Sequence, residues 1–252
     1  MTESPLPESA APEVPVPERY PFWNYSDLFI FIGLSFPSLL VGAVLVKAAV
    51  LLLRLPVENR IYEILPAQFS GYAILFGLLW LLLRVQYGRP FWASLRWVRP
   101  ALPVSRLVAA GAVLAIAVAG LSLLLRAPDV DSPMKEFLSS RTSVLLLAIF
   151  GTTLGPLCEE LAFRGFMQPL FVRTLGPVAG VLLAALPFGL LHLQQYGWSW
   201  RHGLLIALAG AGFGWMRHTS GSTRAAAVMH MAYNATFFVA LAAQKKEFPT
   251  TW

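Results

Sequence analysis

Seven stretches of this chain contain no Asp, Glu, Lys or Arg: residues 28–46, 65–83, 107–125, 142–158, 174–191, 203–216 and 225–243. Most hold 17 to 19 residues. At 1.5 Å rise per residue, a helix of that length is roughly 25–30 Å long, about the thickness of a bilayer's hydrocarbon core. One such run is as well explained by a buried helix of a soluble domain; seven are not. Composition agrees, with 57% hydrophobic residues and only 13% charged, where a soluble domain carries about a quarter charged residues. The fold class predicted is all-α: a polytopic helical membrane protein with about seven transmembrane helices, six to eight allowing for one uncertain run.

The net charge of +6 raises the question of a nucleic-acid partner. The Lys and Arg residues sit mostly between the apolar runs, where basic residues flank membrane helices. None forms a dense basic block interleaved with aromatics. The partner predicted for this charge is the anionic surface of a lipid bilayer, not nucleic acid. Cys158 is the single cysteine, so no intrachain disulfide forms. In apolar surroundings a lone cysteine packs as a small hydrophobe more often than it acts as a nucleophile.

Residues 1–26 hold six prolines and four glutamates, the latter five apart. They cannot build a packed core and are predicted to be a disordered tail. The segment lacks the basic start of a cleavable signal peptide, so the first apolar run is predicted to stay as an anchor. Tyr20, Phe22, Trp23 and Tyr25 have the character of an aromatic belt at the membrane surface. Residues 27–141 are assigned to N-terminal transmembrane helices, 142–243 to a second helical unit carrying the site, and 244–252 to a short tail. Two inter-span loops look interfacial. In 86–100, Phe91, Trp92 and Trp97 alternate with Arg89, Arg96 and Arg99; 127–141 is polar, with room for a further surface helix. The arginine excess over 84–106 favours that loop, and with it the N-terminus, in the cytoplasm. In a prokaryote the membrane would be the plasma (inner) membrane.

Against this background Glu159 and Glu160 are out of place. The other 11 of the 13 acidic residues lie in the tail, in loops or at span ends. An ionisable group inside a membrane costs several kcal/mol and marks a functional site by default. Glu160 and Arg164 are spaced i,i+4 with the acid first, the favoured order for an ion pair on one helix face. That pairing leaves Glu159, about 100° round the helix, without a local partner. Gly155-Pro156 is expected to restart the helix, because proline suits a first turn and lacks an N–H. Both acids would then lie in the first turn of the new segment, near the positive end of its dipole.

Two further apolar runs each carry polar groups. His192 follows Phe188 by four residues at the end of one; alone it reads as a hydrogen-bonded or interfacial residue. If the chain turns at 175–177, however, Glu159 and His192 are equally far from the turn and lie at the same depth of a helical hairpin. His230 and Asn234 are i,i+4, hence on one face of a helix predicted to start at Ser222-Thr223. His202 and His218 sit among loop-like residues and read as interfacial. A carboxylate and an imidazole can hold a water and remove its proton, while a second imidazole and an amide can donate to an oxyanion. Glu159, His192 and His230 also form the ligand set of a catalytic zinc, although the H-E-x-x-H spacing is missing. No cofactor is favoured; a divalent metal such as zinc is the alternative, and the metal-free reading is preferred.

In this order, E-E-x-x-F-R-G (Glu159, Glu160, Phe163, Arg164, Gly165), F-x-x-x-H (Phe188, His192) and H-x-x-x-N (His230, Asn234) resemble the CAAX-protease and bacteriocin-processing family of intramembrane proteases, also called the Abi family. The resemblance covers roughly residues 142–243. It implies a glutamate-dependent endopeptidase acting on a membrane-associated or lipidated protein or peptide. It further implies that Glu159 and His192 activate water, that His230 and Asn234 stabilise the oxyanion, and that Glu160, Arg164 and Phe188 support them. A non-catalytic immunity or binding protein, and a proton-coupled transporter using Glu159 and His192 as a relay, are the competing readings.

Overall fold

In lipid every backbone N–H and C=O must be satisfied within the segment, so an apolar run of this length has little choice but the helix. The computed structural model describes residues 19–128, 137 and 140–244, and among them no strand occurs. The expected tail up to residue 18, most of the second interfacial loop and nearly all of the C-terminal tail lie outside the described residues. Helix α1 spans Tyr25–Leu53, α2 Ile61–Tyr87, the short α3 Phe91–Ser94 and α4 Val104–Leu124. A composite fourth span follows, formed by α5 (Arg141–Thr152), α6 (Leu154–Glu160), a π-helical stretch (Leu161–Met167) and α7 (Gln168–Leu175). Helices α8 (Pro177–Leu191), α9 (Trp200–Ser220) and α10 (Thr223–Ala243) complete the bundle.

All seven charge-free runs therefore fall in helices. Five of these, α1, α2, α4, the composite Arg141–Leu175 and α10, are long and apolar enough to cross a membrane. The run 174–191 is interrupted by Gly176, and the 15-residue α8 that remains is shorter than a straight crossing. The 21-residue α9 is long enough but more polar. Since successive helices reverse direction, α1 begins on one face of the bundle, here the proximal face. The 88–103 segment, the turn at Gly176 and the α9–α10 turn share that face; residues 54–60 and 192–199 lie on the distal one.

The proximal face is tied together by polar contacts. Asn24 caps α1 by accepting from the N–H of Ser26 at 2.7 Å, and the Asp27 carboxylate accepts the N–H of Asn24 in return. Ser222 caps α10 as its sequence predicts, and its hydroxyl also donates to the Val98 carbonyl at 2.6 Å. The Thr223 N–H donates to the Arg96 carbonyl at 3.0 Å, which fixes the 88–103 segment over the end of α10. Residues 20–24 do not form a simple surface belt. Tyr25 is at the surface, its hydroxyl 2.6 Å from that of Thr174. Trp23, in contrast, is fully buried, stacked on Phe166 with its indole N–H donating to the Phe166 carbonyl at 3.0 Å. An indole in that position satisfies both halves of its amphipathic ring without lipid headgroups.

Small residues let the helices approach closely, as expected where lipid removes the hydrophobic drive between them. On α4, a Cβ added at Gly111 would stand 2.2 Å from the Met229 carbonyl oxygen of α10. On the same helix a Cβ at Gly120 would meet nothing within 4 Å. Gly111→Ala should therefore cost at least the about 1–3 kcal/mol of an overpacked site, while Gly120→Ala should be neutral or mildly stabilising through helix propensity. Thermal unfolding of the two variants in detergent checks this: the midpoint should fall for Gly111→Ala and not for Gly120→Ala.

Candidate active site

The composite span departs from a regular helix at two places, and both position the acids. Thr152 and Thr153 turn their hydroxyls back onto the carbonyls of Ala148 and Ile149, at 2.7 and 2.5 Å, a pattern that bends helices. Thr153 leaves the helical region altogether (φ −130°, ψ −83°), and α6 restarts at Leu154. The break thus falls ahead of Gly155-Pro156, with Pro156 as the third residue of the new helix. Glu159 and Glu160 consequently lie in its second turn rather than in the expected first one, and a helix-dipole effect on them is correspondingly weak. The second departure is the π-helical stretch, where the Gln168 N–H reaches back five residues to the Phe163 carbonyl. Such single turns of wider helix recur at functional sites. This one carries Arg164.

Glu160 and Arg164 are both buried, at 0% and 1% side-chain exposure, and Arg164 Nη1 lies 3.0 Å from Glu160 Oε1. Two charges this deep are tolerated only when further partners share the cost. Arg164 Nη2 donates to the Gly210 carbonyl at 2.7 Å, and the guanidinium sits 4.4 Å above the Phe188 ring. One turn on, the Gln168 amide donates to the Gly214 carbonyl at 2.8 Å. Residues 164 and 168 thereby clasp α9 through carbonyls that already serve its own helix, using their second lone pairs. Close approach requires glycine: a Cβ at Gly210 would meet Arg164 Nη2 and the Phe188 ring at 2.9 Å.

Glu160 has a second partner besides Arg164. Its Oε1 is also 3.0 Å from His230 Nδ1, so the carboxylate accepts a hydrogen bond from the Nδ1–H and leaves Nε2 facing away. The imidazole is held flat by stacking on Phe213, with centroids 4.3 Å apart. His230 Nε2 then lies 3.8 Å from Glu159 Oε2. His192 follows the last residue of α8, and its Nδ1 is 2.7 Å from the Phe188 carbonyl. A carbonyl only accepts, so the ring proton is on Nδ1 and the Nε2 lone pair is free. That Nε2 lies 4.0 Å from Glu159 Oε1. Each oxygen of Glu159 thus faces one imidazole Nε2, beyond direct hydrogen-bond length and within reach of a single small oxygen species between them. The turn at Gly176, between α7 and α8, is what brings Glu159 and His192 to one depth.

Asn234, one turn beyond His230, donates from Nδ2 to the Gly151 carbonyl at 2.7 Å, just before the break in the composite span. Glu159, Phe188, His192, His230 and Asn234 all line one cavity of about 670 Å³, a size typical of ligand sites. Its other walls include the first turns of α2, the last turns of α4, the 192–202 region and parts of α5, α9 and α10, so it lies toward the distal face. His202, in the first turn of α9, lines it as well: it stacks on Tyr196 at 4.9 Å and reaches the Ser199 hydroxyl through Nδ1 at 2.9 Å. His218, near the end of α9, is outside it. Cys158 lines a different groove. Among the described residues, no group of three His, Cys, Asp or Glu is placed to hold a metal ion. Phe213 and the acceptor carbonyls of Gly151 and Gly210 carry no signal in the sequence, since each acts through tertiary contact.

A helical bundle with a carboxylate set between two oriented imidazoles in one cavity defines the class: a polytopic membrane protein with a polar cluster inside its span region. Residues 141–236 match the family model described as Type II CAAX prenyl endopeptidase Rce1-like. That stretch contains every residue of the candidate site. No curated protein and no solved structure matches the chain.

The buried pair makes a thermodynamic prediction. Arg164→Met leaves Glu160 buried with one partner and should cost about 3–5 kcal/mol. Adding Glu160→Gln removes the stranded charge while keeping an acceptor for His230. The double variant should therefore unfold at a higher denaturant concentration than Arg164→Met alone, measured by SDS titration in mixed micelles.

Proposed function

We propose that the protein is an intramembrane endopeptidase that hydrolyses a peptide bond of a membrane-associated or lipidated protein or peptide. The observation that carries this reading is the pairing of the two Glu159 oxygens with His192 Nε2 and His230 Nε2, at 4.0 and 3.8 Å, inside the distal cavity. Glu159 and His192 hold a water between them and take its proton as the oxygen attacks the scissile carbonyl. Both act from a low-dielectric setting, where fixed charges and lone pairs are worth more than in water. The carbonyl oxygen becomes an oxyanion; His230, donating from Nε2, and the second N–H of Asn234 stabilise it. The proton taken from water then passes to the leaving amine as the C–N bond breaks, so the step balances without a covalent enzyme intermediate.

This assignment refines what the motifs imply in one respect. With its Nδ1 proton held by Glu160, His230 can donate from Nε2 only when protonated. Glu160 therefore orients His230 through Nδ1, in addition to its pairing with Arg164. Glu159, His192 and His230 are also the donors a catalytic zinc would use, and the mechanism proposed needs none.

Comparison of membrane proteomes from cells carrying wild type or Glu159→Gln tests the reading. Uncleaved membrane precursors should accumulate with the variant and disappear with wild type. On a precursor so identified, Glu159→Gln and His192→Ala should each lower the cleavage rate by about 10²–10⁴-fold, with folded protein recovered in equal yield. Full activity of Glu159→Gln sinks the proposal. Incubation with a strong zinc chelator should leave the rate unchanged; loss of activity restored by zinc would replace the metal-free mechanism.

A further inference from the structure

A second cavity lies behind the helix that carries Glu159. It is a groove of about 600 Å³ between α2 and α6, with Phe69, Tyr72, Phe76 and Trp80 on one wall and Leu157 and Cys158 on the other. Consecutive residues of α6 point about 100° apart, so Cys158 faces this groove while Glu159 faces the catalytic cavity. From Phe69 to Arg84 the groove follows α2 for 15 residues, about 22 Å, which is more than half the hydrocarbon thickness.

Its lining is chemically polarised. Among the described residues that line it, the charged ones are Arg84 and Arg89, and both stand at the end where α2 reaches the proximal face. Trp80 and Trp92, each half exposed, flank that end, the placement of tryptophan at a membrane–water interface. Arg89 is steadied 5.9 Å from the centre of the Phe22 ring. Among the described residues, no carboxylate lines the groove. An apolar channel capped at headgroup depth by two guanidinium groups matches an amphiphile with an anionic head and a long chain.

The polarity also decides which amphiphile. The lipid chain of a lipidated substrate cut at Glu159 would have to enter from the site and place its apolar free end against the two arginines. A glycerophospholipid of the proximal leaflet places charge on charge instead. We propose that the α2/α6 groove is a binding site for an anionic glycerophospholipid, with its phosphate on Arg84 and Arg89 and one acyl chain running toward Cys158.

Native mass spectrometry of the full chain released from detergent, titrated with phosphatidylglycerol or phosphatidylcholine of equal chain length, tests this. Wild type should bind phosphatidylglycerol roughly 10- to 30-fold more tightly, the effect of two arginines on a net-anionic rather than a zwitterionic headgroup. Arg84→Gln with Arg89→Gln should abolish the preference, and Ala73→Trp, which fills the groove from an exposed wall position, should weaken both lipids. An unchanged preference in the double arginine variant overturns the proposal, as does unchanged binding in Ala73→Trp. Competition by inorganic phosphate alone would reassign the arginines to a free anion. Displacement of phosphatidylglycerol by a farnesylated peptide, persisting in the double arginine variant, would reassign the groove to a substrate chain.

Discussion

The buried carboxylate–guanidinium contact between Glu160 and Arg164 is the interaction from which the rest of the site is built. Neither charge survives in an apolar interior alone, and the partners each recruits define the geometry around them. Arg164 reaches outward to the Gly210 carbonyl and the face of Phe188, which ties the composite span to α9 and α8. Glu160 reaches inward to His230, which ties it to α10. Four helices are thus fixed about one ion pair, and the functional candidates Glu159, His192 and His230 are neighbours or partners of its members. An electrostatic cost that looks like a liability of the sequence organises the packing.

The local backbone supports this arrangement from both sides. Upstream, the break at Thr153 frees α6 from the register of α5 and provides the Gly151 carbonyl that Asn234 uses. Downstream, the π-helical turn widens the helix where Arg164 must reach α9. One carbonyl of that turn, Phe166, takes its hydrogen bond from the indole of Trp23. A residue from the start of the chain therefore holds the turn that positions Arg164, and its full burial follows from that task. Wider turns are costly in a helix interior unless neighbours satisfy them. Here the neighbour is 143 residues away in sequence.

This division explains what the sequence made legible. The apolar runs revealed the helices because helix length against a bilayer is a one-dimensional constraint. The i,i+4 pairs Glu160–Arg164 and His230–Asn234 were readable for the same reason: each lies on a single helix face. The turn at Gly176 was readable from glycine before proline, and with it the common depth of Glu159 and His192. The break escaped to Thr153 because threonine back-bonding depends on the whole turn, whereas proline advertises itself. The role of Trp23, the membership of His202 in the cavity and the contact of Glu160 with His230 are all tertiary, and no spacing rule encodes them.

The two cavities share α6 as their partition, and this gives that short helix a definite physical position. Its apolar side, through Leu157 and Cys158, meets the groove at whose far end stand two arginines; its other side presents Glu159 to the distal cavity. The helix is only seven residues long, begins at a backbone break and ends in a π-helical turn. Such a segment draws little rigidity from its own hydrogen bonds. Its position is set by what lies on each side: the Glu160 ion pair on the inner flank and the α2 groove on the outer. The carboxylate that the proposed chemistry needs most is therefore carried by a short element whose position depends on its surroundings.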